Sequence, residues 1–147
     1  MLSVYPAIFY KESSGYSVIF PDLNYLATCG NTLEEAMTMA IDCLAYHLFW
    51  LRQENKEFPV PSDVTKLSPS KLAEELEFDY DVKETFVNIV SVDVTEYSKT
   101  HFEKSIKKTL TIPAWLNNAA LEQNINFSQV LQNALIDILG ISVKSTH

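Results

Sequence analysis

The first thirty residues gather their apolar side chains into short runs, broken at Ser13-Ser14-Gly15 and again at Pro21-Asp22-Leu23-Asn24. Ser3 to Glu12, rich in Val, Ile, Tyr and Phe, predicts a strand; Tyr16 to Phe20 predicts its return, and Tyr25 to Cys29 a short third strand. Three strands on short turns predict an antiparallel meander. The period then changes. Thr32-Leu33-Glu34-Glu35 has the form of a capping box, in which the Thr32 hydroxyl accepts from the third helical N–H and Glu35 reaches back to the N–H of Thr32. The helix it opens runs to about Gln53, with Leu33, Met37, Ala40, Ile41, Leu44, Leu48 and Leu51 on the buried stripe. Its other flank carries Tyr46, His47, Phe49 and Trp50, which is aromatic for a solvated face and reads best as core or subunit packing.

Phe58-Pro59-Val60-Pro61-Ser62 is an extended stretch in which no helix persists. Ser68-Pro69 starts a short helix through Leu76, within an acidic patch from Glu74 to Asp81 that holds five carboxylates and no Lys or Arg. Phe86 to Val94 predicts a further strand: Phe86, Val90, Val92 and Val94 share one face, Val87, Ile89, Ser91 and Asp93 the other. It is expected to join the first sheet and close a β-β-β-α-β unit. Thr95 to Glu103 is polar without sustained period, so a linker is placed over residues 99–105, between a domain at 1–98 and a second at 106–147.

In that second domain Leu110 and Ile112 fall on one face of a strand from Lys107 to Ile112, with Thr109 and Thr111 on the other. Pro113 opens a helix, where its missing N–H costs nothing, and a second helix runs from near Asn126–Ser128 to Gly140. A lone strand has unpaired edges, and two chains remove them by pairing their strands and interlocking the helices over a shared core that includes Leu110, Ile112, Leu116, Val130, Leu131 and Leu135. Such a ribbon fits the major groove of DNA. Lys107, Thr109 and Thr111 would then reach base edges, and the N–H groups near Asn126, Phe127 and Ser128 would hold a phosphate. Plainer roles stay open: the two threonines as ordinary strand formers on a solvated face, and Asn126 as a helix cap.

Charge sharpens the division. The 147 residues carry a net −8, yet residues 1–98 hold 6 Lys+Arg against 16 Asp+Glu (6 − 16 = −10) and residues 99–147 hold 5 against 3 (5 − 3 = +2). An apolar content of 47% suits a packed core, and no apolar run approaches the ~20 residues of a membrane span. The N-terminus lacks the pattern of a signal peptide, and Cys29 and Cys43 have no ligand spacing; buried thiols and a cytoplasmic address are expected. Catalysis is not expected. The first two strands carry no carboxylate from Leu2 to Tyr10 or Tyr16 to Phe20, which opposes two-metal chemistry. Three scattered histidines and three distant glycines suggest neither a metal, a nucleophile pair nor a phosphate loop, so no cofactor is expected.

Phe20-Pro21-Asp22-Leu23, then Ala27-Thr28-Cys29-Gly30-Asn31-Thr32-Leu33-Glu34-Glu35-Ala36, and later Pro59-Val60-Pro61-Ser62, resemble the HicB-type antitoxins. The resemblance spans nearly the whole chain. It implies an α+β protein: an N-terminal β-β-β-α-β domain, likened to a truncated ribonuclease H, that silences a HicA-type mRNA-cleaving toxin. Some members end in a ribbon-helix-helix dimerisation domain, and the pattern from Lys107 to Pro113 is similar to theirs. Asn24-Tyr25 stands where the family usually has glycine. The implied partners are the toxin, palindromic operator DNA and a second copy of the chain, as a dimer or tetramer. An acidic body docks on the basic surface of a ribonuclease by charge complementarity, and Asp22, Asn24 and Tyr25 are the candidate toxin contacts, on their exposed turn alone. Two other functions compete: a stand-alone regulator with a ligand-sensing first domain, favoured by the aromatic flank, and a residual nuclease, opposed by the missing carboxylates.

Overall fold

A computed structural model describes residues 1–142. The chain forms two compact units that divide between Ser105 and Ile106. The first contains β1 (Ser3–Lys11), β2 (Tyr16–Phe20), β3 (Leu26–Gly30), α1 (Leu33–Gln53), α2 (Pro69–Leu76), β4 (Asp81–Val92) and α3 (Val94–His101). Its four strands are antiparallel in the order β3-β2-β1-β4. The class is α+β.

The central strand β1 is buried on both faces, which explains its unbroken apolar composition. Tyr5, Ala7 and Phe9 join Val18, Phe20, Val90 and Val92 beneath α1, while Ile8, Tyr10 and Ile19 pack with Leu72 and Ala73 of α2. The Tyr10 hydroxyl donates to the Pro69 carbonyl (2.7 Å) and ties α2 to the sheet. Burial first, and the neighbouring Tyr80 second, push the Tyr10 hydroxyl up to about 12.

On α1 the buried residues are Ala36, Ala40, Leu44, Ala45 and Leu48. The expected stripe was therefore rotated: Leu33 is 44% exposed, and Ala36 and Ala45 take buried places. Small side chains sit there because the helix lies very close to the sheet. A Cβ on Gly30 would stand 2.3 Å from the Ala36 nitrogen. The cap also differs in one bond. Thr32 Oγ1 accepts from the Glu35 N–H (3.1 Å) as expected, but the Glu35 carboxylate accepts from Asn31 N–H (2.8 Å) rather than from Thr32, because the turn after Gly30 brings the Asn31 amide to it. Thr32→Ala is expected to cost ~1 kcal/mol, read as a fall of roughly 4–8 °C in thermal melting.

Three boundaries depart from expectation. β3 starts at Leu26, not Tyr25, because Asn24 and Tyr25 both adopt left-handed backbone (φ 57° and 59°). β4 begins at Asp81 instead of Phe86: a bulge between Phe9 and Lys11 lets β1 pair further along it, with the Lys11 N–H donating to Thr85 Oγ1 (2.9 Å). β4 then ends at Val92, since the Asp93 side chain accepts from the Glu96 N–H (3.1 Å) and starts a helix. Thr95 to Glu103, expected as linker, is mostly that helix. Val94 and Ser98 are buried, and the Tyr97 hydroxyl donates to Asp42 of α1 (3.0 Å). Eight helical residues are too few to show a period. No described helix is long and apolar enough to cross a membrane.

The second unit consists of residues 106–113, which are neither helical nor paired in a ladder, followed by α4 (Ala114–Glu122) and α5 (Phe127–Leu139). Pro113 is the residue before α4 (φ −57°), one place earlier than expected. Gly140 closes α5 in the left-handed conformation (φ 64°).

Candidate functional site

Residues 107–112, expected as a strand, form none in the single chain, though alternate side chains of the stretch line one groove. Leu110 and Ile112, with Phe127, Val130, Leu131 and Ala134 of α5, line an open groove of about 500 Å3; Lys107, Thr109 and Thr111 do not line it. All three are exposed. Neither α4 nor α5 contains a buried residue, and Leu110 and Ile138 are 63% and 80% exposed. None of the residues expected as core is buried in the single chain, because two short helices cannot cover one another's apolar faces. Open apolar surface of this extent marks an interaction site.

At the start of α5, Asn126 Oδ1 accepts from the Gln129 N–H (3.0 Å), so this side chain is a cap. The Val130 N–H bonds to the Asn126 carbonyl. The N–H groups of Phe127 and Ser128 therefore remain at the helix end, where the dipole favours an anion. The Phe127 ring itself belongs to the groove.

In the first unit the turn after β2 separates its three candidates. Asp22 is engaged internally: its two carboxylate oxygens accept from the N–H (2.8 Å) and the hydroxyl of Ser62. The Tyr5 hydroxyl donates to the Pro59 carbonyl nearby, and both bonds pin the proline-rich stretch to the sheet. Burial, then the Asp22 charge, raise the Tyr5 hydroxyl above its ordinary value. Asn24 and Tyr25 remain exposed. A left-handed Tyr costs ~1–2 kcal/mol, held here by the turn that glycine would make without strain.

The outer flank of α1 is the other exposed feature. Tyr46 and Trp50, one turn apart, are 56% and 51% exposed. Phe102 packs edge-on to Tyr46 (5.5 Å between ring centres) and against Phe49 (5.4 Å), so part of the flank is covered by residues that were read as linker. His47 is half-buried, and burial lowers its pKa. Among the described residues no cluster of three His, Cys, Asp or Glu side chains is placed to hold a metal. Cys29 and Cys43 are free thiols; Cys29 is exposed, against the expectation of burial, because it lies on the edge strand β3.

Residues 5–135 match the profile of the HicB-like antitoxins of bacterial toxin–antitoxin systems. The antitoxin HicB 2 of Photorhabdus laumondii subsp. laumondii is 38% identical over 58 residues, which are 40% of this chain and 42% of that protein. A 14.9 kDa protein of Haemophilus phage HP1 is 27% identical over 113 residues, covering 77% of this chain and 75% of its own. The chain thus spans less than half of the curated Photorhabdus antitoxin it matches. Among solved structures, a chain of a toxin–antitoxin complex from Streptococcus pneumoniae superposes with a TM-score of 0.64 at 38% identity, covering 93% of this chain and 99% of that one.

Proposed function

Because this chain belongs to the HicB-like antitoxins of bacterial toxin–antitoxin systems, we propose that its first unit binds and neutralises a HicA-type mRNA-cleaving ribonuclease while its second represses its own operon. It acts by binding, not by catalysis. The first unit, counted to Ser105, holds 8 Lys+Arg and 17 Asp+Glu, so 8 − 17 = −9. A protein that cleaves RNA needs a basic surface for its substrate. An acidic body is drawn to that surface and displaces the RNA from it. The sheet-and-helix core of this unit stands in for the truncated ribonuclease H of the family, without its metal chemistry. Asn24 and Tyr25 are the toxin contacts of the exposed turn; Asp22 supports them by fixing the Pro59–Ser62 stretch.

One observation carries the repressor half: no residue of α4 or α5 is buried in one chain, while Leu110 and Ile112 face an open apolar groove. A second copy completes this unit by pairing residues 107–112 antiparallel and filling both grooves, so association and folding of the tail are one event. Lys107, Thr109 and Thr111 are left on the outer side of the ribbon, toward DNA bases, with the Phe127 and Ser128 N–H groups set for a backbone phosphate. The target is palindromic because the ribbon is two-fold symmetric.

Co-expression with the ribonuclease of its operon tests the whole reading. The full chain is expected to restore growth, to co-elute with the toxin, and to shift a fragment of its own promoter on a gel. Growth arrest with no complex on the column removes the antitoxin half, and an unshifted promoter removes the repressor half.

A further inference from the structure

The turn after β2 ends beside a cleft of about 220 Å3, lined by Tyr25 with Ile8 of β1, Leu72 of α2 and the charged Lys66, Lys71 and Glu75. Ile8 and Leu72 are buried, so the floor is apolar, while the charged side chains and Tyr25 are exposed at the rim. Small-molecule sites occupy ~300–1,000 Å3. A space smaller than that suits a single side chain. Its walls are fixed. Asp63 Oδ1 accepts from the Thr65 N–H (2.9 Å) and closes the single helical turn that ends at Lys66. Ser68 caps α2, and the Tyr10 hydroxyl ties the start of that helix to the sheet.

Two local rules are broken around this cleft. Tyr25 holds a left-handed backbone (φ 59°), which a bulky side chain rarely adopts. Lys71 stands in the first turn of α2, with Glu74 and Glu75 toward the other end, the reverse of the order that the helix dipole favours. Departures of this kind gather at functional positions. The charge also runs against its surroundings. The unit holds 8 Lys+Arg and 17 Asp+Glu, yet two of its lysines line one cleft. Among the described residues neither forms an ion pair, not even with Glu75.

We propose that this cleft receives one apolar side chain of the toxin with a carboxylate beside it, which Lys66 and Lys71 hold. Resting on the neutralisation proposed for the first unit, this contact gives the interface its register. Acid-on-base attraction alone would dock the unit on any basic protein, in many orientations. A pair of reversed sign in a cleft of fixed shape admits one orientation, and it rejects basic surfaces that lack a carboxylate there. Nucleic-acid phosphates would also answer two lysines, but the net −9 of the unit repels them and the apolar floor offers a phosphate nothing.

Titration calorimetry of the full chain against the ribonuclease of its operon tests the contact through three charge reversals: Lys66→Glu, Lys71→Glu and, as control, Lys83→Glu, an exposed position on β4. Each makes the unit more acidic by two charges, so attraction to a basic protein by itself predicts equal or tighter binding for all three. Lys66→Glu and Lys71→Glu are instead expected to weaken binding ~30-fold or more, as when one partner of an interfacial charge pair is lost. Lys83→Glu is expected to bind at least as tightly as wild type. Tyr25→Gly relieves the strained turn and removes one wall, so affinity is expected to fall ~10-fold or more while the melting temperature does not fall. Circular dichroism checks that each variant is folded. Lys66→Glu and Lys71→Glu binding as tightly as wild type would overturn the proposal and leave acid-on-base docking in place. A wild-type chain that binds no ribonuclease removes both. Reversals that weaken the promoter gel shift at unchanged toxin affinity give the lysines to nucleic acid, and the proposal falls.

Discussion

Replacing Thr109 and Thr111 together by alanine is expected to abolish operator binding and leave the mass of the assembly unchanged. Each base-reading side chain contributes ~1–3 kcal/mol of discrimination, and a two-stranded ribbon carries four of these threonines. Even at the low end the loss approaches ~4 kcal/mol, about a thousandfold in affinity. The geometry separates this effect from unfolding: Leu110 and Ile112 line the groove, whereas Thr109 and Thr111 do not. Alanine at the two outer positions leaves the apolar contacts intact. The assay is a gel shift at fixed salt, because phosphate contacts alone make affinity steeply salt-dependent. Binding within tenfold of wild type would show that the threonines are solvated strand residues and that DNA is read elsewhere.

The second large effect is expected at Gly30. A Cβ there would meet the Ala36 nitrogen at 2.3 Å, the Ala36 Cα at 2.7 Å and the Glu35 carbonyl carbon at 2.8 Å. All three are backbone atoms of α1, so no rotamer relieves the contact and the helix itself must move. That helix contributes Ala36, Ala40, Leu44, Ala45 and Leu48 to the core. Gly30→Ala is therefore expected near the upper end of overpacking, ~3 kcal/mol or more, out of a total of roughly 5–15 kcal/mol for a domain. At roughly 4–8 °C per kcal/mol this is a fall of roughly 12–24 °C in the melting of the first unit. Gly140→Ala is the contrast: nothing lies within 4 Å of its Cβ, and the cost is that of left-handed backbone alone, ~1–2 kcal/mol. Calorimetry of the two variants checks the difference. A fall below about 3 °C for Gly30→Ala would mean that α1 packs further from β3 than the close contact requires.

The elements that could be read from the chain are those with a strong local signal. Tyr16–Phe20 is a strand at its predicted bounds, and Ser68 caps α2 where Ser-Pro announced it. Thr32 caps α1, and Gly140 ends α5. In each case a turn or cap residue bonds, through side chain or backbone, to backbone within four residues, so the neighbouring sequence contains both partners. α3 has such a cap too, Asp93 on the Glu96 N–H, but no run long enough to show a helical period. Its helix is eight residues long, and what holds it, Tyr97 on Asp42 and Arg52 on Thr95, spans more than forty residues.

The candidate sites divide in the same way. Lys107, Thr109 and Thr111 were read from a strand's period of two; in the single chain residues 107–112 form no strand, and the three side chains are exposed outside the groove. Asp22 was not legible as a support, since its partner Ser62 lies forty positions away. Nor were Tyr25, Lys66 and Lys71 recognisable as lining one cleft, since they belong to elements far apart in the chain.

By itself, then, the amino-acid order determined what the strongly patterned segments become, through periodicity, caps and turn residues whose interactions are complete within a few positions. The tertiary structure decided which strand lies at the edge, how near α1 sits to Gly30, and that the second unit leaves its apolar faces uncovered in one chain. Those outcomes depend on strand order and on surfaces brought together from distant positions, and short-range sequence carries no record of either.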